Sequence, residues 1–133
     1  MRILVTGTAG HLGEALMRAL PAAGHEAVGV DLKPSAFTAH VGSVIDREFV
    51  RRHLCGIDAV VHTATLHKPH VATHSRQAFV DTNITGTLNL LEESVTAGVM
   101  AFVYTSTSAQ GAISDGDPRT ISPAFWISCV SPT

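Results

Sequence analysis

Cysteine, lysine and the larger aromatics are scarce in this chain, and each scarcity excludes something. Two cysteines, Cys55 and Cys129, do not make the disulfide framework of a small secreted domain. Charged residues are 15% of the total and the formal net charge is −2, which leaves no basic stripe for nucleic acid and no polybasic patch for a membrane surface. Long apolar runs are missing too. Gly, Thr and charged residues interrupt every one, so no membrane-spanning helix is expected. Met1-Arg2 leads straight into a strand-like run, without the apolar stretch and small-residue cleavage site of a signal peptide. A cytoplasmic protein fits these absences. What is present is an apolar fraction of 45% over 133 residues, enough for one packed domain and too much for global disorder.

Short apolar runs alternate with helical spacing. Ile3–Val5, Ala27–Val30, His40–Val41, Ala59–His62 and Phe102–Tyr104 read as strands. Leu12, Leu16, Ala19 and Leu20 fall on one helix face before Gly24, with Pro21 expected to tighten or end that helix at Leu20. Asp46 is placed to cap a helix carrying Phe49, Val50 and Leu54. A long helical pattern runs from Ser75 to Ala97 through Val80, Ile84, Leu88, Leu91 and Val95, with Gly98 as its stop. This alternation specifies an α/β, doubly wound parallel sheet of about five strands with helices on both faces. After Ala109 neither period persists. The expected division is therefore a domain over residues 1–108 and an irregular tail over 109–133.

The segment GTAGHLG, directly after the first strand, places glycines at positions 7, 10 and 13. Gly7 lets the chain turn tightly out of the strand, Gly10 lets a pyrophosphate approach the backbone, and Gly13 lets the helix lie close. The helix N-terminus then offers free N–H groups and a positive dipole end to phosphate. Ala9, His11 and Leu12 lie between these glycines and are assigned to the same ligand. Asp31 follows Gly13 by 18 residues and ends the second strand. A carboxylate there accepts hydrogen bonds from a ribose diol and repels a 2′-phosphate, so NAD is favoured over NADP; Lys33 is the nearest cation. The plainer alternatives are a glycine-rich turn without ligand and a solvated loop aspartate.

With the leading Thr6, TGTAGHLG resembles the glycine motif of the extended short-chain dehydrogenase/reductase family, the NAD-dependent epimerases and dehydratases, N-terminal portion. Three further blocks are similar and follow in order: DAVVHTAT from Asp58, NITGTLNLLEES from Asn83, and AFVYTSTS ending at Ser108. The resemblance covers residues 1 to about 108 and implies an incomplete Rossmann-like fold that binds NAD. It implies that Gly7, Gly10 and Gly13 hold the pyrophosphate and Asp31 the adenosine ribose. Ser43 and the adjoining Val44 stand where many relatives reach the adenine, with Ser43 in the place of an aspartate. Ala64 and Thr65 line the cofactor cleft. Thr107 is the active-site hydroxyl, Ser106 the second choice, and Asn83 supports the site or a proton relay. A nucleotide sugar is one substrate the resemblance allows, and pairing of two copies through the long helix is one assembly it allows.

The family's chemistry uses a Tyr-x-x-x-Lys pair, because a phenol with a pKa near 10 needs a neighbouring cation to exchange protons at neutral pH. Here the one tyrosine is Tyr104, Ser108 stands four residues on, and both lysines, Lys33 and Lys68, lie upstream. The chain is thus expected to be the cofactor half of such an enzyme, inactive by itself. Truncation, frameshift and a native short form remain alternatives, and a non-catalytic dinucleotide-binding sensor or scaffold is the competing function. The fifth strand would be an apolar sheet edge, with the tail's cluster Phe125, Trp126 and Ile127 placed to cover it.

Other features carry less. LHKPHVATH has histidines at spacings that reach one zinc, but Pro69 is expected to keep His67 from aligning with His70. No cysteine or carboxylate lies in that stretch, so no metal is assigned. The loop borders the cleft of the family, where His67 or Lys68 would meet a phosphate or substrate anion. Thr105, Ser106 and Thr107 lack His-Asp partners for a hydrolase triad. Cys55 reads as a small buried filler.

Overall fold

The computed structural model describes residues 1–107 and 125–130. Its strands are β1 (Arg2–Thr6), β2 (Glu26–Asp31), β3 (His40–Val41), β4 (Ala59–His62), β5 (Ala101–Thr107) and β6 (Phe125–Val130). They form one sheet in the order β3-β2-β1-β4-β5-β6. The first five are parallel, and β6 runs antiparallel along β5. Periodicity alone leaves the segment after Ala109 irregular, and β6 corrects that for six of its residues. The sequence FWISCV is aromatic and β-branched, and it meets a strand edge whose N–H and C=O groups would otherwise stay open. The rest of the tail lies outside the described residues.

Alternation along the strands divides the core into two layers. Leu4, Val60 and Phe102 point to the face covered by helices α2 (Arg47–His53) and α4 (Thr87–Thr96), where they pack with Phe49, Val50, Leu54 and Leu90. Ile3, Val5 and Ala59 point to the opposite face, against Leu16, Met17 and Leu20 of helix α1 (His11–Ala22). A register slip of one residue would exchange the two layers, so burial on both faces fixes the pairing.

Helix α1 does not stop at Leu20. Pro21 lies within its last turn, where a proline removes one backbone bond and the rest of the turn closes around it. Closure is by His25 N–H to the Leu20 carbonyl (3.0 Å) and Gly24 N–H to that of Pro21 (3.0 Å), with Gly24 at φ +81. Helix α4 ends the same way: Val99 donates to Ser94, Gly98 to Val95, and Gly98 sits at φ +73. Asp46 caps α2 as expected, its Oδ1 accepting from Glu48 and Phe49 N–H at 3.0 and 3.1 Å. Cys55 is exposed, not buried, because Leu54 takes the inward position as α2 ends.

The long helical pattern is one path with a change of pitch. Helix α3 (Arg76–Val80), capped by Ser75, passes into a π-helical turn (Asp81–Gly86) and then into α4. Arg47 and Arg51 of α2 both reach Glu93 of α4, whose side chain is 4% exposed, with Nε to carboxylate distances of 2.6 and 3.1 Å. Hydrogen bonds from Arg51 and Arg47 hold the Glu93 carboxyl below its usual pKa. No described helix is long and apolar enough to cross a membrane.

Candidate functional site

In an open parallel sheet, ligands bind beyond the carboxyl ends of the strands, where the chain leaves neighbouring strands in opposite directions. Here that place lies between β1 and β4. A cleft of about 990 Å³ opens there, at the upper end of the roughly 300–1,000 Å³ range of small-molecule sites. Gly7, Ala9, Gly10, His11, Leu12, Gly13, Asp31, Ser43, Val44, Ala64 and Thr65 all line it. The cofactor positions inferred from the sequence are thus brought together. Asn83 stands behind the wall, and of Thr107 and Ser106 only the β5 backbone pairing is described.

Each glycine of the loop has a separate geometric reason. Gly7 has φ +78, and a Cβ there would lie 2.7 Å from Thr63 Oγ1 and 2.8 Å from the Ala64 nitrogen. At Gly13 a Cβ would collide with the Gly7 carbonyl and come within 2.7 Å of Thr8 Cα. The close approach is therefore between α1 and the glycine turn, more than between α1 and the strands. A Cβ at Gly10 would meet only the Gly7 carbonyl oxygen, at 3.3 Å, so that position is open to a ligand.

Helix α1 begins with unsatisfied donors. Gly10 N–H bonds to Gly7 and Glu14 N–H to Gly10, but the amides of His11, Leu12 and Gly13 have no partner among the described residues, and no side chain caps the helix. Asp31 ties this loop to β2: Oδ2 accepts from Ala9 N–H at 2.9 Å and Oδ1 from Lys33 N–H at 2.8 Å. Each oxygen keeps a lone pair for a further donor. A cradle with bare amides at one end and a held carboxylate at the other fits a diphosphate and its attached sugar.

Below the cleft lies a polar hub that pattern reading does not reveal. Thr6 Oγ1 accepts from Thr63 N–H (3.1 Å) and Ala64 N–H (3.2 Å), and lies 2.7 Å from His62 Nδ1. With both lone pairs taken, the Thr6 hydroxyl proton goes to Nδ1. His62 then carries its own proton on Nε2 and donates it to Thr87 Oγ1 at 3.0 Å. Burial lowers the His62 pKa to about 4, so the ring is neutral at physiological pH. Thr63 Oγ1 also donates to the Thr6 carbonyl at 2.6 Å. The turn that faces Gly7 is thereby fastened to β1.

Asn83 continues the wall. Its Oδ1 accepts from Leu66 N–H and its Nδ2 donates to the Leu66 carbonyl, both at 2.8 Å. The residue lies in the π-helical turn, beside Thr82, which lines the cleft. Pro69 does not keep His67 from His70: it falls in the first turn of a short 3₁₀ helix (Lys68–Ala72), where a proline costs no bond. The His67 and His70 rings stand edge to face with centroids 4.7 Å apart, and both line the cleft. Among the described residues no group of three or more His, Cys, Asp or Glu could hold a metal ion.

Comparison with known proteins places these features among relatives. The sequence model of the NAD dependent epimerase/dehydratase family matches residues 3–123. A 3-beta-hydroxysteroid dehydrogenase of Mycolicibacterium neoaurum is 36% identical over 118 residues, covering 81% of this chain and 32% of that protein. A short-chain dehydrogenase/reductase superfamily protein from Agrobacterium tumefaciens, solved with bound NAD, is 34% identical with a TM-score of 0.69, over 78% of this chain and 32% of that one. The UDP-glucose 4-epimerase of Thermotoga maritima, solved with UDP-glucose, is 30% identical with a TM-score of 0.70, over 80% and 38% respectively. The chain spans about a third of the length of the curated relatives it matches.

Two stability measurements follow from this geometry. Gly13→Ala should cost about 3 kcal/mol or more in urea unfolding, since backbone must move. Gly24→Ala, with a positive φ but nothing within 4 Å, should cost only about 1–2 kcal/mol. Equal costs would contradict the close approach. For His62, the unfolded chain takes up a proton near pH 6.5 and the folded one near 4. Its stabilisation is complete above pH 6.5 and is lost as pH falls towards 4, by roughly 3 kcal/mol. His62→Asn should flatten that slope; an unchanged slope would mean another group titrates.

Proposed function

Because the chain belongs to the NAD dependent epimerase/dehydratase family, we propose that its cleft binds NAD as the cofactor part of an oxidoreductase of the nucleotide-sugar epimerase or dehydratase type. The observation that carries this reading is the row of amides at His11, Leu12 and Gly13, without partners among the described residues, in one cleft with Asp31. When bound, NAD supplies the hydride acceptor for oxidation of a substrate hydroxyl. The residues of this chain do the holding. The His11–Gly13 amides donate to the diphosphate, and open space over Gly10 lets it approach. Asp31, already fixed by Ala9 and Lys33, accepts from the adenosine ribose and disfavours a 2′-phosphate. Ser43 and Val44 face the adenine end, Ala64 and Thr65 the nicotinamide end. Asn83 holds the latter wall by gripping Leu66.

Thr107, with Ser106 as second choice, is assigned to hydrogen-bond the substrate hydroxyl. The group that would move its proton is not in these 133 residues: Tyr104 packs against the core, its ring centroid 5.5 Å from that of His62, and no Tyr-x-x-x-Lys pair occurs. These residues alone are therefore expected to bind NAD without turning it over. That absence also supports a non-catalytic dinucleotide-binding module as the second reading. A nucleotide sugar is the proposed substrate class, with the steroid class of the mycolicibacterial relative as its competitor. For a homodimer, Val80, Ile84, Leu88, Leu91 and Val95 leave an exposed apolar stripe along the long helix.

Calorimetric titration tests the cofactor reading. NAD should bind more tightly than NADP, and Asp31→Ala should weaken NAD by about 10- to 100-fold, the loss of hydrogen bonds to a charged acceptor. Unchanged NAD affinity in Asp31→Ala would refute the ribose assignment.

A further inference from the structure

Between β3 and Asp46, the cap of α2, lie four residues, Gly42–Ile45, of which the first three line the cleft. Their polar groups have identifiable partners. Gly42 N–H donates to the Asp31 carbonyl (2.9 Å), Asp46 N–H to that of Ser43 (3.1 Å), and Ile45 N–H to Ser43 Oγ (3.2 Å). The Val44 and Ile45 carbonyls are met from the opposite element. Asn89 of α4, 7% exposed, directs its amide nitrogen at both, at 3.2 and 2.9 Å. One NH₂ group thus satisfies two consecutive carbonyls, and neither a carboxylate nor an apolar side chain can do so. One turn earlier, Gly86 lets the helix touch the same loop: a Cβ there would lie 2.6 Å from Val44 Cγ2.

We propose that Asn89, with Gly86, is a positioning residue for the adenosine half of the dinucleotide: α4 sets the place of the Gly42–Ile45 wall without touching the ligand. The inference rests on the NAD reading above. It assigns the two ends of the cleft to different residues of one helical path, Asn83 bracing the Leu66 side and Asn89 the Ser43 side. Damage at Asn89 should accordingly be felt by one half of the ligand only.

The test compares NAD, ADP and nicotinamide mononucleotide on the full chain by calorimetry, with the two fragments measured in competition. Asn89→Leu should weaken ADP by about tenfold and leave the mononucleotide unchanged, since two buried carbonyls lose their donor and the loop shifts. Gly86→Ala, which gains helix propensity but must displace Val44, should weaken ADP in the same selective way in protein shown to be folded. Amide hydrogen exchange at Ile45 and Asp46 should quicken in both variants. Equal weakening of both fragments, or unchanged ADP affinity in variants shown to be folded, would overturn the proposal. Failure of the wild-type chain to bind NAD at all would instead count against the cofactor reading.

Discussion

The structure depends on how closely the start of α1 lies against the turn that ends β1. Gly13 rests on the Gly7 carbonyl with no room for a methyl group, and Gly7 turns at φ +78 against Thr63 and Ala64. A side chain at Gly13 would lift the helix from the glycine turn, and one at Gly7 would push that turn away from Thr63 and Ala64. Because the helix is not lifted, the amides of His11, Leu12 and Gly13 come to lie at the cleft without partners among the described residues. Bare amides at a helix N-terminus, with its positive dipole end, favour an anion over neutral groups. The arrangement is thus a preference for a ligand expressed in the backbone.

The remaining walls are held from behind by one helical path. Asn83 grips Leu66, Thr87 receives the His62 proton, Asn89 grips Val44 and Ile45, and Glu93 receives Arg47 and Arg51. These contacts are polar, and several are buried. Buried polar groups add little net stability, yet each is costly to leave unpaired, so they specify one arrangement of the walls. The π-helical turn contributes by changing pitch between Val80 and Thr87, which lets Asn83 and Thr87 each meet a different partner on the cleft side.

Much of this was legible from residue order. Strand and helix positions follow from the short apolar runs Ile3–Val5 and Ala59–His62 and from the Ser75–Ala97 spacing, because burial on two faces leaves little choice. The glycine loop is legible because a tight turn and a close helix dictate where glycines must fall, and Asp31 is found held beside it. What escaped depends on partners distant in sequence. Thr6 and His62 look like strand residues until their registry places them side by side, 56 positions apart. Asn89 reads as an ordinary helix residue until Val44 meets it. Pro21 is tolerated because it falls in a last turn closed by Gly24, Cys55 is exposed because Leu54 fills the core, and β6 forms because β5 offers an edge. Each outcome is decided by tertiary contact, which local preference does not encode.

The central claim is that the free amides of α1 are where the dinucleotide diphosphate is held. An amide-resolved NMR titration of the labelled chain with NAD addresses it directly. The account predicts that the His11, Leu12 and Gly13 resonances shift most, and that inorganic pyrophosphate moves the same three in the same direction. Binding of NAD with those three unmoved, and with the largest changes elsewhere on the protein, would contradict it.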